Sequence, residues 1–174
     1  MNGHPNGHPN GHREELPRAD DAGIELAHPT AEERGKQLEC NGVAWRGALT
    51  LDGYFQREAH LLSQDLTKDG GLTSWVLVDR KDAKNRRVLC GCESYRKKAL
   101  VASNGIIRDT IAHGIGSVFC PPDRRGKGYA GRMIRDVGER LKTWQSDESC
   151  MFSILFSDIG KVRHMRIHCD KLLC

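Results

Sequence analysis

No stretch of this 174-residue chain is apolar for more than a few residues. A run such as Trp75-Val76-Leu77-Val78 falls far short of the roughly 18 needed to cross a bilayer, so a membrane span is excluded. The N-terminus lacks an apolar core behind a basic start; no export signal is expected, and a cytoplasmic location is the default. In such a reducing compartment the seven cysteines, an odd number, are expected as free thiols. Cys90 and Cys92 form a CxC that would share one face of a strand, but a zinc site needs two further ligands nearby, so buried thiols and no metal are expected.

What is present reads as an ordinary globular protein: 38% hydrophobic and 29% charged residues, at a length that fits one domain. Residues 1–20 form an expected disordered tail. Its Asn-Gly-His-Pro repeat at 2–5, 6–9 and, incompletely, 10–12 offers nothing apolar to bury, although His4, His8 and His12 could hold a transition metal weakly. The domain is expected to start near Asp21.

Along that domain, Gly23–Leu26 reads as a short strand. Thr30 followed by Glu33 is a capping box that predicts a helix from Ala31 toward Trp45, and a second helix is expected over Leu51–Leu66. Strands are expected over Thr73–Asp79 and Val88–Tyr95, and, after a polar stretch containing Asn104-Gly105, over about Ile111–Cys120. Pro121-Pro122 has no N–H to give to a ladder and must stop that last strand. Tyr129, Met133, Ile134, Val137, Leu141 and Trp144 follow at helical spacings of three and four, and Met151–Phe156 is a fifth strand.

The formal charge is +4, and residues 123–142, with seven Lys/Arg against three Asp/Glu, carry an excess of the same size. This positive charge surrounds one glycine-rich turn before a helix, a place where free N–H groups and the helix dipole favour an anion. Gly126 and Gly128 let backbone close on a phosphate, and Arg124, Arg125 and Lys127 add charge. A pyrophosphate suits the site at least as well as a nucleic-acid polymer. The Walker A pattern fails, because Lys127 is followed by glycine and Pro121 stands at the first glycine position. Gly126 to Gly131 does satisfy G-x-G-x-x-G, but the five residues Pro121 to Arg125 separate it from its strand and only 43 residues follow, which argues against a dinucleotide fold. The plain alternative is a basic turn without a ligand; Arg96-Lys97-Lys98 reads as a solvated basic face.

Arg125, Gly128 and Ala130 also fit the pattern of Arg or Gln, two residues, Gly, one residue, Gly or Ala. This resembles the acetyl-CoA signature of the GNAT superfamily of N-acetyltransferases. Further segments are similar to fungal lysine acetyltransferases, which act on the ε-amine of lysine in its catabolism: His28-Pro29-Thr30, Asp69 to Trp75, Cys92 to Ala99, His113 to Pro122, Leu141 to Gln145 and Phe156 to Lys161. The resemblance spans about residues 23–161, the domain being taken as 21–161. It implies an α/β (α+β) fold, a mixed sheet flanked by helices in which the strand before the loop splays from the next. Acetyl-CoA is the implied co-substrate, held by Val118, Phe119 and Cys120 through the backbone and by Arg124, Arg125, Gly126, Lys127, Gly128, Tyr129 and Ala130. The backbone near Val118 to Cys120 would polarise the thioester carbonyl, a kind of contribution worth about 3–4 kcal/mol in acyl transfer. The implied partner is a small amine, with neither nucleic acid nor membrane.

A lysine amine with a pKa of about 10.4 must lose a proton before it attacks, so a base or water chain is required. Glu93 and His113, on strands where this superfamily often places that group, are the candidates, against the alternative of ordinary strand residues. The family pattern would continue after Lys161 with a Phe-Tyr helix and more strands. Residues 162–174 read differently and contain no tyrosine. The sheet is thus expected to be truncated after the fifth strand, with a tail derived from an unspliced intron or a gene-model error. Two rival functions follow: an inactive acetyl-CoA-binding or interaction protein, and a basic nucleic-acid-binding module.

Overall fold

The computed structural model describes residues 15–81, 86–145 and 152–155. The repeat with His4, His8 and His12 and the ending from Val162 lie outside the described residues. The elements are β1 (Ile24–Ala27), α1 (Ala31–Trp45), α2 (Leu51–Leu62), β2 (Leu72–Asp79), β3 (Arg87–Ser103), β4 (Ile106–Phe119), α3 (Tyr129–Leu141) and β5 (Phe152–Leu155), with a 3-10 turn at Pro122–Arg124.

Helix α1 starts where its capping box requires. The Thr30 hydroxyl accepts from the Glu33 N–H at 3.2 Å, and the Glu33 carboxylate accepts from the Thr30 N–H at 2.7 Å. Both otherwise orphaned donors are satisfied. Glu33 also makes a two-pronged ion pair with Arg86, 2.7 Å on each prong, that ties α1 to the start of β3. Arg86 donates in addition to the His28 carbonyl at 2.7 Å. Helix α2 ends at Leu62, four residues before the expected Leu66. The Ser63 and Gln64 amides switch to i−3 carbonyls, the Gln64 side chain folds back on the His60 carbonyl, and Leu66 is left exposed.

The strands lie in sequence order in one five-stranded sheet. Pairing is antiparallel from β1 to β4, whereas β4 and β5 run parallel, so the sheet is mixed as expected. Strands β3 and β4 outrun the expected Val88–Tyr95 and Ile111–Cys120, because Asn104-Gly105 is a hairpin turn. Both residues adopt positive φ, 50° and 76°, the twist that matches a two-residue hairpin. Beyond the reach of β2 and β5 the two strands continue as a ribbon, leaving Leu100, Ile106 and Ile107 exposed.

Period-two alternation gives the sheet two different faces. One packs on α3: Trp75, Leu77, Leu89, Cys90, Cys92 and Ile115 meet Tyr129, Met133, Val137 and Leu141 in the main apolar cluster. The other carries α1 and α2; Gly91 lacks a side chain there because a Cβ would stand 2.3 Å from the Gln37 amide. Trp144 falls outside α3, which ends at Leu141. Its ring packs on His28 at 5.1 Å and Trp75 at 5.2 Å, and its N–H donates to Thr73.

The packed chain also begins before the expected start near Asp21. Leu16 and Ala19 rest on the main cluster, Tyr129 donates its hydroxyl to the Pro17 carbonyl, and Arg132 donates to the Ala19 carbonyl at 2.9 Å. The segment is held by contacts made more than a hundred residues away, which local composition does not reveal. No helix among the described residues is long and apolar enough to cross a membrane.

Candidate functional site

The end of β4 is bent by a bulge. Gly91 pairs with Phe119 and Glu93 with Gly116, so one residue of β3 faces two of β4, Ser117 and Val118. Ser117 takes a φ of 53°, uncommon for a residue with a side chain. The extra residue reverses the alternation: His113 and Ile115 point to the α3 face before it, Val118 and Cys120 after it. Strand β5 accompanies β4 only from Ala112 to Ile115, so among the described residues the edge of β4 from Gly116 to Phe119 has no strand partner.

Beyond β4 the basic turn leads into α3. Gly126 and Gly128 both adopt the left-handed conformation, at φ 76° and 85°, and Gly128 is the N-cap. The cap offers no side chain and the first turn of α3 contains no acidic residue, so the helix presents its opening amides and positive dipole end uncompensated. A Cβ at Gly126 would meet open space, whereas one at Gly128 would stand 3.3 Å from the Ala19 Cβ. Lys127 and Ala130 are exposed. Arg124 is mostly covered; its Nε approaches Asp123 only at 3.5 Å and makes no hydrogen bond among the described residues.

Other expected contributors prove to be structural through their side chains. Arg125 donates to the Cys120 carbonyl at 3.0 Å and lies over the Phe119 ring at 5.4 Å, which ties the turn to the strand end. Phe119 packs edge-on against Trp45. Tyr129 is buried in the core, so only its backbone remains available to a ligand. Cys120 is half-buried. A hydrogen bond from the Cys90 thiol pulls the Cys120 thiol below its ordinary value; burial opposes this, while the Ala130 N–H, Arg125 and Arg124 assist it.

On the opposite face, α1, α2 and the sheet enclose a cavity of about 290 Å³. Arg34 and Asn41 of α1, Glu58 and Leu62 of α2, and Glu93 and Tyr95 of β3 are among its lining residues. Tyr95 donates to Glu93 Oε2 at 3.0 Å. Burial, with Glu93 beside it, pushes the Tyr95 phenol well above its ordinary value, so it stays a donor. Two carbonyl oxygens in the lining, Asn41 Oδ1 and Gln37 Oε1, are buried without a hydrogen-bond partner among the described residues, a costly arrangement that a donor-rich ligand would relieve.

The structure therefore brings Glu93 to a cavity but does not bring His113 there. His113 lies on the α3 face, 0% exposed, opposite Arg96 in the ladder. Burial first, and the Arg96 charge second, push its pKa down and keep it neutral. Glu58, Tyr95, Asn41 and Arg34 carry no signal in the sequence because they come from three separate elements with no common spacing. Among the described residues, no group of three His, Cys, Asp or Glu is placed to hold a metal ion.

No family model matches the chain. It is similar to a protein of Yarrowia lipolytica named "Lysine acetyltransferase", 33% identical over 100 residues that form 57% of this chain and 24% of that protein. The chain thus spans about a quarter of that relative's length. Among solved structures, an acetyltransferase from Trypanosoma brucei superposes with a TM-score of 0.52 at 17% identity, over 83% of this chain and 96% of the other. A GCN5-related N-acetyltransferase from Ralstonia eutropha does so with a TM-score of 0.55 at 16% identity, over 78% and 84%. At such identities the likeness is one of fold, and the fold of this chain is that of the GNAT N-acetyltransferases.

Proposed function

We propose that this chain transfers an acetyl group from acetyl-CoA to an amine, and that the ε-amine of lysine is the acceptor. The observation that carries this reading is the uncapped start of α3, with two left-handed glycines and a basic turn, at the unpaired end of β4. Pyrophosphate oxygens fit the amides from Gly126 to Ala130, with Arg124 and Lys127 supplying charge. Backbone groups of Val118, Phe119 and Cys120 along the open edge of β4 suit the amide-bearing pantetheine arm. The thioester supplies an acyl group already activated for transfer.

The cavity on the α1–α2 face supports the acceptor side. Glu58 and Glu93 attract a cationic amine, and Asn41 and Gln37 offer it acceptors that are unfilled among the described residues. Tyr95 holds Oε2 of Glu93 and leaves Oε1 to receive the amine's proton, the step required before attack. Arg34, on the cavity rim, matches the α-carboxylate of a free amino acid. The lysine assignment itself is supported by the Yarrowia lipolytica relative.

The test is release of coenzyme A thiol from acetyl-CoA by the full chain, with lysine, ornithine, other small amines and a lysine-containing peptide as acceptors. Saturable release with lysine, and ε-acetyl-lysine as product, is expected. Turnover confined to another amine would overturn lysine. Tight acetyl-CoA binding with no turnover on any acceptor would favour a binding protein instead.

A further inference from the structure

The β3–β4 ladder pairs Gly91 with Phe119, and continuing that register by one residue sets Cys90 opposite Cys120. Directly opposed residues of an antiparallel pair have Cα atoms about 4.5–5.5 Å apart, inside the range of about 4.4–6.8 Å that a disulfide bridges. The side chains agree with the backbone. Cys120 packs on the cluster that contains Cys90, on the same face of the sheet. Both are free thiols.

Their surroundings differ in a way that gives each a separate role. Cys120 is half-exposed and stands just before the basic turn, with the opening of α3 and the Arg124 and Arg125 charges nearby. A helix start and two guanidinium groups stabilise a thiolate, the form that reacts with oxidants. Cys90 is 0% exposed and cannot be reached first by a solute. Cys92, on the same face and equally buried, lies opposite the bulge at Ser117 and Val118, further from Cys120. An accessible thiol beside a helix start and set opposite a buried one is the arrangement of a sulfenic acid beside its resolving cysteine.

We propose that Cys120 and Cys90 form a peroxide-oxidisable pair at the mouth of the phosphate loop, closing to a disulfide that staples β3 to the end of β4. In the first step the Cys120 thiolate attacks a peroxide oxygen; the O–O bond breaks, one oxygen stays on sulfur as sulfenic acid, and the other leaves as hydroxide. In the second step the Cys90 sulfur attacks the Cys120 sulfur, the S–O bond breaks, and the departing hydroxide takes the Cys90 proton to give water. Two thiols give up two electrons, and the peroxide is reduced to water. A dithiol reverses the change.

The test uses the full chain, reduced, exposed to hydrogen peroxide, quenched with an alkylating agent and mapped without reduction. Expected is a Cys90–Cys120 linked peptide, about 2 Da lighter than its two thiol halves together and restored by dithiothreitol. Cys120 in the unoxidised protein should alkylate at least about tenfold faster than the half-buried Cys40. Cys90→Ser should leave Cys120 as a sulfenic acid that dimedone traps, and Cys120→Ser should leave Cys90 unreactive. The proposal is overturned if Cys120 survives as a thiol when Cys40 is oxidised, or if its bridge forms instead with Cys150, Cys169, Cys174 or a second chain. These readouts need no acetyl-CoA, so they stand or fall separately from the cofactor reading.

Discussion

The two faces of the sheet are made by the same strands and yet differ in kind. Toward α3, Trp75, Leu77, Leu89, Cys90 and Cys92 are at most 2% exposed and meet a helix whose inward residues, Met133, Val137 and Leu141, are equally covered. Toward α1 and α2, the alternate residues Ser74, Glu93 and Tyr95 line a cavity with two carboxylates and carbonyl acceptors that are unfilled among the described residues. Alternation makes this possible: one register gives an apolar face packed on α3 and a second face that, beside the buried Val76, Val78 and Tyr54, turns polar residues into a cavity. The comparison teaches that stability and chemistry can be changed separately here, one face at a time.

Damage to the α3 face should have the largest effect. Met133→Ala removes a fully buried side chain from the main cluster and should cost about 2–5 kcal/mol, read from the midpoint of denaturant unfolding. A loss under about half a kcal/mol would mean that this face does not hold the fold. Next in size, Glu93→Gln keeps the shape of the cavity lining but removes the proposed proton acceptor. The expectation is a fall of about 10²–10⁴ in acetyl transfer at neutral pH, with acetyl-CoA affinity kept within twofold and unfolding changed by about half a kcal/mol or less. Unchanged turnover would remove Glu93 from the role of base.

A smaller effect sharpens the boundary between the faces. Arg86→Ala breaks the ion pair with Glu33, whose side chains are 23% and 12% exposed, and should cost about 2 kcal/mol at neutral pH. The Arg86 hydrogen bond holds the Glu33 carboxyl below its ordinary value, with burial opposing. Its contribution is therefore complete above the unfolded carboxylate pKa of about 4.3 and is lost as pH falls through the lower folded value. The gap between wild type and variant should narrow below that point to what the Arg86 bond to the His28 carbonyl contributes; a difference constant from pH 7 to pH 2 would contradict this.

How much of this is legible in the sequence follows from the range of each interaction. Thr30 and Glu33 fix the start of α1 because capping acts over three residues, and the spacing of Tyr129, Met133, Val137 and Leu141 marks α3 because a helix face is local. The basic glycine turn is legible for the same reason. Asn104-Gly105 carries a hairpin signal that the polar stretch around it obscures, so β3 and β4 are longer than the sequence suggests. Leu16 to Ala19 read as tail because their anchors, Tyr129 and Arg132, stand on α3. The cavity gathers Arg34, Glu58 and Tyr95 from three elements, a relation that only the fold creates.

In the proposed function the turn before α3 seats acetyl-CoA. Calorimetric titration of the full chain with acetyl-CoA tests it most directly, beside a Gly128→Asp variant that sets a charge and a side chain at a left-handed N-cap only 3.3 Å from Ala19. The account predicts saturable one-to-one binding by the wild type and a loss of at least about a hundredfold in the folded variant. Folded wild-type protein that releases or takes up no heat with acetyl-CoA, or a variant that binds as the wild type does, would contradict it.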